Sequence, residues 1–154
     1  MIKKLEIFTD GACSGNPGIA GIGVVVKEKG KIVKKLSQAI GEATNNIAEY
    51  SAVVYGLQEA LIKKADEVVI KTDSELLFNQ LTGNYKVKNQ NIKPLFEQIK
   101  HLATGFKDVK ILQVPRAQNK EADELAKASI KSLKKVSSRD KSESCDEPSQ
   151  LKLF

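Results

Sequence analysis

Four carboxylates in this 154-residue chain occupy positions from which they can act together. Asp10 closes a strand-like segment that begins at Lys3, and Asp73 closes another, Glu67 to Thr72. Glu49 and Asp123 each fall in the first turn or so of a helical pattern. In an open α/β sheet, strand ends and helix starts meet along one rim. Carboxylates gathered there repel one another unless cations lie between them. Such oxygen donors suit Mg2+, which keeps several waters and is commonly shared with substrate phosphates. Two such ions about 4 Å apart stabilise both the attacking and the leaving oxygen of a phosphodiester displacement. Taken singly, each residue has a plainer reading: Glu49 and Asp123 as acids favouring a helix dipole, Asp10 and Asp73 as turn-starting aspartates. All four standing at element ends favours metal-assisted chemistry.

The elements needed to position them are legible in the pattern. Lys3 to Asp10, Ala20 to Glu28 and Lys31 to Ala39 read as three strands of an antiparallel meander, with a turn at Lys29-Gly30 and a turn-rich stretch from Gly11 to Gly18. Asn45 or Asn46 can cap a helix reaching about Lys64, whose apolar stripe is Ile47, Tyr50, Val53, Val54, Leu57 and Leu61. A fourth strand over Glu67 to Thr72 leads to helices over Glu75 to Leu81 and Lys93 to Leu102. A fifth strand covers Val109 to Val114; Pro115 to Asn119 is a loop with Asn119 as cap, and a last helix spans Lys120 to Lys135. The order β-β-β-α-β-α-α-β-α implies an α/β domain, a five-stranded mixed sheet with helices packed on its faces. Residues 1–136 form that domain, and 137–154 read as a disordered tail rich in Ser, Lys, Asp and Glu.

Bulk properties restrict the partners. The net charge is +6 overall and +7 over Met1 to Val136, a balance that suits a polyanion. No apolar run approaches the roughly 18 residues of a membrane span, and the N-terminus lacks a signal-peptide pattern, which points to the cytoplasm and away from membranes. Cys13 lies in the glycine-rich turn and Cys145 in the tail, so neither a disulfide nor a cysteine nucleophile is indicated.

The run Thr9-Asp10-Gly11-Ala12-Cys13-Ser14-Gly15-Asn16-Pro17-Gly18 resembles the opening signature of type I ribonuclease H. So do Thr44-Asn45-Asn46-Ile47-Ala48-Glu49, Thr72-Asp73-Ser74, and Val114-Pro115-Arg116 followed by Asn119 to Ala126. The resemblance covers Met1 to about Lys135. It implies the ribonuclease H-like fold, hydrolysis of the RNA strand of RNA/DNA hybrids to 5′-phosphate and 3′-hydroxyl ends, and a monomer. It implies two Mg2+ ions, with Mn2+ as a substitute, held by Asp10, Glu49, Asp73 and Asp123. It places Gly11, Asn16, Thr44, Asn45, Asn46 and Asn119 at the nucleic acid, where the 2′-hydroxyl distinguishes RNA from DNA.

Two departures matter. The loop in which many relatives carry a mobile His has none here; Arg116 takes its place, as in an Arg-bearing subgroup, while His101 reads as structural or surface. The basic protrusion of some relatives is reduced to the short Gly83 to Asn91, where Lys86 and Lys88 either grip the DNA backbone or form a solvated loop. The ending Gln150-Leu151-Lys152-Leu153-Phe154 resembles the short bacterial motif that binds the replication sliding clamp, with Gln150, Leu151, Leu153 and Phe154 as contacts; the plainer readings are self-docking or an inert end. Against the enzyme stand two other classes, an inactive module holding hybrid or double-stranded RNA, and another nuclease of the superfamily. The intact acidic quartet argues against the first, and the Asn16 and Asn45 motifs against the second.

Overall fold

Residues 2–139 are described by the structure, a computed structural model, with side chains through 132. Three strands come first: β1 (Lys4–Cys13), β2 (Gly18–Glu28) and β3 (Lys31–Ala43). Helix α1 (Asn45–Ile62) follows, then β4 (Glu67–Thr72), α2 (Glu75–Leu81), α3 (Lys93–Ala103), β5 (Asp108–Gln113) and α4 (Lys120–Arg139). The strands form one sheet in the order β3-β2-β1-β4-β5, as the expected mixed sheet requires. β1, β2 and β3 pair antiparallel as a meander, whereas β4 pairs parallel to both β1 and β5.

Strand alternation divides the sheet into two apolar faces. Leu5, Ile7, Ile22, Val24, Val26, Val68 and Ile70 meet Tyr50, Val53, Val54 and Leu57 of α1 in the main core. The other face of β1 and β2 carries α4, whose Ala122, Ala126 and Ile130 are buried. Two glycines of β2 allow that helix unusually close. A Cβ on Gly21 would lie 1.9 Å from Ser129 Oγ, and one on Gly23 would lie 2.0 Å from the Ala122 carbonyl oxygen. Among the described residues no helix is long and apolar enough to cross a membrane.

Several local expectations change. The strands extend further into the glycine-rich run than its composition suggests, leaving only residues 14–17 between β1 and β2. Thr44, and neither Asn45 nor Asn46, caps α1: its backbone is extended where β3 ends, and its Oγ1 accepts from the Ile47 N–H at 3.2 Å. The stretch expected as a loop before the last helix contains a 3-10 turn, Arg116–Asn119, that runs directly into α4. Leu61, on the apolar stripe of α1 by spacing, is 38% exposed near the end of that helix. The last helix continues to Arg139, so residues 137–139 belong to it and not to the tail. Cys145 and the remainder of the tail lie outside the described residues.

Gly23→Ala is expected to destabilise the protein by about 1–3 kcal/mol, because the added methyl meets helix backbone and not a movable side-chain end. Urea unfolding checks this; an unchanged midpoint would show that α4 does not pack so closely on β2.

Candidate active site

Parallel pairing sets the level of the first two carboxylates. The last registered pair of β1 and β4 is Phe8 with Lys71, and Asp10 and Asp73 each lie two residues beyond it. Both therefore arrive at the same height on adjacent strands. Glu49 comes from α1, drawn in by Gly11, where a Cβ would lie 2.6 Å from the backbone nitrogen of Glu49. Carboxylate oxygens of Asp10, Glu49 and Asp73 all lie within 4.8 Å of one another. Asp123 reaches the group from α4 on the other face and hydrogen-bonds Asp10. The register supports this approach, since Asp10 pairs with Gly23, the residue against which Ala122 packs. All four carboxylates singled out by position thus meet at one end of the sheet.

Their surroundings make the cluster electrostatically unbalanced. Asp10 is only 7% exposed. Burial first, then the hydrogen bond to Asp123 and the charges of Glu49 and Asp73, raise its pKa from 3.8 to about 9. Glu49 is also raised, by burial above all, although hydrogen bonds from Ser74, Asp10 and the Gly11 backbone favour its charged form. Asp123 lies below the usual carboxylate range: burial opposes its ionisation, but the bond to Asp10 and the nearby Lys127 outweigh it. Lys127 Nζ is 3.0 Å from Asp123, and Arg116 Nε is 3.7 Å from Asp73. The arginine side chain is 88% exposed, so solvent screens it and it cannot neutralise the group. Dense, partly protonated oxygen donors with weak cationic compensation are what a hard divalent cation fits.

Neighbouring side chains fix the donors. The Ser74 hydroxyl accepts from the Leu77 N–H at 3.2 Å as the N-cap of α2, besides its bond to Glu49. Tyr50 Oη donates to Gln80 Oε1 at 2.6 Å, tying α1 to α2; burial pushes the phenol up to about 12. Sequence reasoning named Ser74 only within the Thr72-Asp73-Ser74 motif and passed over Lys127, although its spacing of four from Asp123 is the ordinary signal of a helical ion pair.

The expected nucleic-acid residues divide. Asn16, Asn45 and Asn46 are exposed, and Asn16 Oδ1 accepts the Asn45 backbone N–H at 3.1 Å, joining two loops into one surface. Thr44 is half-buried as the cap of α1. Lys86 and Lys88 are exposed between α2 and α3, and His101 is exposed on α3. Two residues are corrected. Gly11 is buried, and its close approach is to α1. Asn119 is 1% exposed and can neither touch a nucleic acid nor cap α4: its Nδ2 donates to the Thr9 carbonyl at 2.9 Å, while its Oδ1 has no partner among the described residues. The residues Gln150, Leu151, Leu153 and Phe154 lie outside the described residues.

A five-stranded mixed sheet of this order, with its helices, is the ribonuclease H fold, as solved neighbours show. RNase H1 of the halophilic archaeon Halobacterium salinarum superposes with a TM-score of 0.82 at 37% identity, over 84% of this chain and 98% of that one. LC11-RNase H1, solved in complex with an RNA/DNA hybrid, gives 0.79 at 38% identity, over 84% and 98%. The family described as reverse transcriptase-like matches residues 8–129. A bifunctional protein of Mycobacterium tuberculosis is 41% identical over 80% of this chain, which spans only 34% of that relative's length. The chain belongs to the ribonuclease H family.

The raised pKa of Asp10 has a sign that can be measured. Between pH 3.8 and about 9 the folded, metal-free protein binds a proton that the unfolded chain has released. Stability from this group is therefore full below pH 3.8 and is lost as pH rises towards 9. Asp10→Asn cannot ionise, so in chelator its melting temperature should exceed that of the unchanged protein by a margin that widens from pH 5 to pH 9. Thermal melts across that range check this; a margin independent of pH would contradict the cluster's electrostatics.

Proposed function

We propose that this protein is a ribonuclease H of type I, an endonuclease that hydrolyses the RNA strand of RNA/DNA hybrids and leaves 5′-phosphate and 3′-hydroxyl ends. The observation that carries the reading is the convergence of Asp10, Glu49 and Asp73 within 4.8 Å, with Asp123 bonded to Asp10. The likeness to a relative solved with a hybrid supports the substrate class. Two Mg2+ ions, or Mn2+ in their place, would supply an activated water and neutralise the leaving oxygen.

The chain's own residues supply the rest. Asp10, Glu49, Asp73 and Asp123 would hold the ions, with Asp10 in contact with the other acids. Glu49 is oriented by Ser74 and the Gly11 N–H, and Asp73 by its place at the end of β4. The bond from Asp10, and after it Lys127, favour the ionised form of Asp123. Asn16, Asn45 and Asn46 present amides to the minor groove, where 2′-hydroxyls identify the RNA strand. Thr44 faces a DNA-strand phosphate, and Lys86 and Lys88 meet the DNA backbone. Arg116, permanently charged and exposed beside Asp73, handles the scissile phosphate or its product and cannot serve as a general base.

Asp73→Asn should lower hybrid cleavage by at least about a thousandfold, roughly 4 kcal/mol of barrier, with the fold intact by circular dichroism. The assay compares RNA/DNA hybrid, double-stranded RNA and double-stranded DNA, each with Mg2+, Mn2+ or chelator. Retention of activity within tenfold, or cleavage that survives chelation, would overturn the assignment.

The tail adds a second, separable proposal that rests on the sequence alone: Gln150 to Phe154 binds a bacterial sliding clamp, Leu151, Leu153 and Phe154 entering apolar pockets while Gln150 makes polar contacts. A peptide that orders on binding buries little area for the chain entropy lost, so its affinity should be only about micromolar. Titration of the synthetic tail against a clamp, with Leu153→Ala/Phe154→Ala as control, decides it; equal binding by both peptides, or none by either, would return the tail to self-docking or inertness.

A further inference from the structure

We infer that Asn119 is a positioning residue of the acidic cluster, an anchor that holds the start of α4, and with it Asp123, in register with Asp10. Its Nδ2 bonds the carbonyl of Thr9, the residue immediately before Asp10, across 110 positions of sequence. Asn119 itself lies four residues before Asp123, about one helical turn. One hydrogen bond thus links the backbone beside the first carboxylate to the helix turn that carries the fourth. The amide orientation follows from its partner, since the reverse would set two oxygens against each other.

One other directed bond ties α4 to the sheet: Ser37 Oγ donates to the Leu125 carbonyl at 2.6 Å, but from β3, which β2 separates from the strand that bears Asp10. Gly21 and Gly23 set how near the helix lies, but close packing of helix backbone on two glycines is non-directional and resists sliding only weakly. A slide by one residue would carry Asp123 about 1.5 Å along the helix axis. That is enough to break its bond to Asp10. A directed bond at the helix start, to backbone in the strand that bears Asp10, opposes that motion. The same anchor fixes the turn that carries Arg116, whose Nε lies 3.7 Å from Asp73.

Stability does not account for the residue. Asn119 is 1% exposed and its Oδ1 finds no partner among the described residues. A buried polar atom without a partner is unfavourable, and it offsets part of what the bond to Thr9 contributes, so the net gain in stability from the amide is small.

This inference rests on the reading of the cluster as a divalent-metal site, and its test reads metal binding separately from cleavage. Asn119→Leu leaves the Thr9 carbonyl without its donor but should still fold and melt cooperatively in chelator, within about 10 °C of the unchanged protein. Its dissociation constant for Mg2+ alone, by calorimetry, should weaken roughly tenfold, the usual effect of losing a residue that orients a ligand. Hybrid cleavage should need correspondingly more Mg2+ for half-maximal rate. Asn119→Ala, which removes the amide without adding branched bulk, should show the same shift. Unchanged Mg2+ affinity in either folded variant would overturn the inference, as would failure of both to fold, which would make the residue structural. If the unchanged protein bound Mg2+ but did not cut hybrid, the hydrolytic reading alone would fall, and the calorimetric comparison would still decide the role of Asn119.

Discussion

Repulsion among the carboxylates at the end of β1 is the constraint around which the rest of the molecule is arranged. Asp10 is nearly buried, hydrogen-bonded to Asp123 and Glu49, and close to Asp73. Left to itself such a group would protonate or spread apart. The nearby cations do little against this, since the side chains of Lys127 and Arg116 are 63% and 88% exposed and solvent screens them. The cluster persists because its backbone is over-determined. A parallel pairing fixes Asp10 level with Asp73, and an antiparallel pairing fixes Asp10 opposite Gly23. Stability set aside in this way at a functional site is a common exchange for a preorganised one.

The sheet provides the ruler, and small residues bring the helices to it. Successive residues of a strand face opposite sides. Gly11 of β1 meets α1 on one side, while Gly23 of β2, paired with Asp10, meets α4 on the other. Neither site has room for a side chain, and each puts helix backbone beside strand backbone. Glu49 and Asp123 can therefore reach the same point from opposite faces of the sheet. A single residue with a Cβ at either position would push the corresponding acid outwards.

Much of this was legible in the residues. Five strands and four helices follow from periodicity and turn composition, and the quartet follows from where acids fall relative to those elements. What escaped were features set by long-range contact. Thr44 and the two asparagines after it are all acceptable caps, and only the end of β3 selects Thr44. Asn119 carries a cap-forming side chain before a helical pattern, but the chain turns one 3-10 step earlier and swings that side chain inwards to Thr9. Nothing local distinguishes a glycine that approaches a ligand from one that admits a helix, so Gly11 reads equally well as either. Ser74 caps α2, yet its bond to Glu49 joins elements distant in sequence and has no local signal.

The division between a buried centre and an exposed rim bears on how a duplex would be recognised. Asp10 and Glu49 are held below the surface, whereas Asn16, Asn45, Asn46, Lys86, Lys88 and Arg116 stand at it. Exposed polar side chains normally lose conformational freedom when they bind, which subtracts from affinity. Here part of that ordering precedes the ligand: Asn16 accepts the Asn45 N–H, so the loop after β1 and the start of α1 already form one surface. Glu49 lies on the same helix as Asn45, one turn further on. Contact at the amides, on the proposed function, would therefore bear on the same helix turn that carries Glu49. On the proposed function, recognition of the sugar edge and placement of the scissile phosphate would both rest on the same short stretch, Thr44 to Glu49, and a shift of α1 would disturb both together.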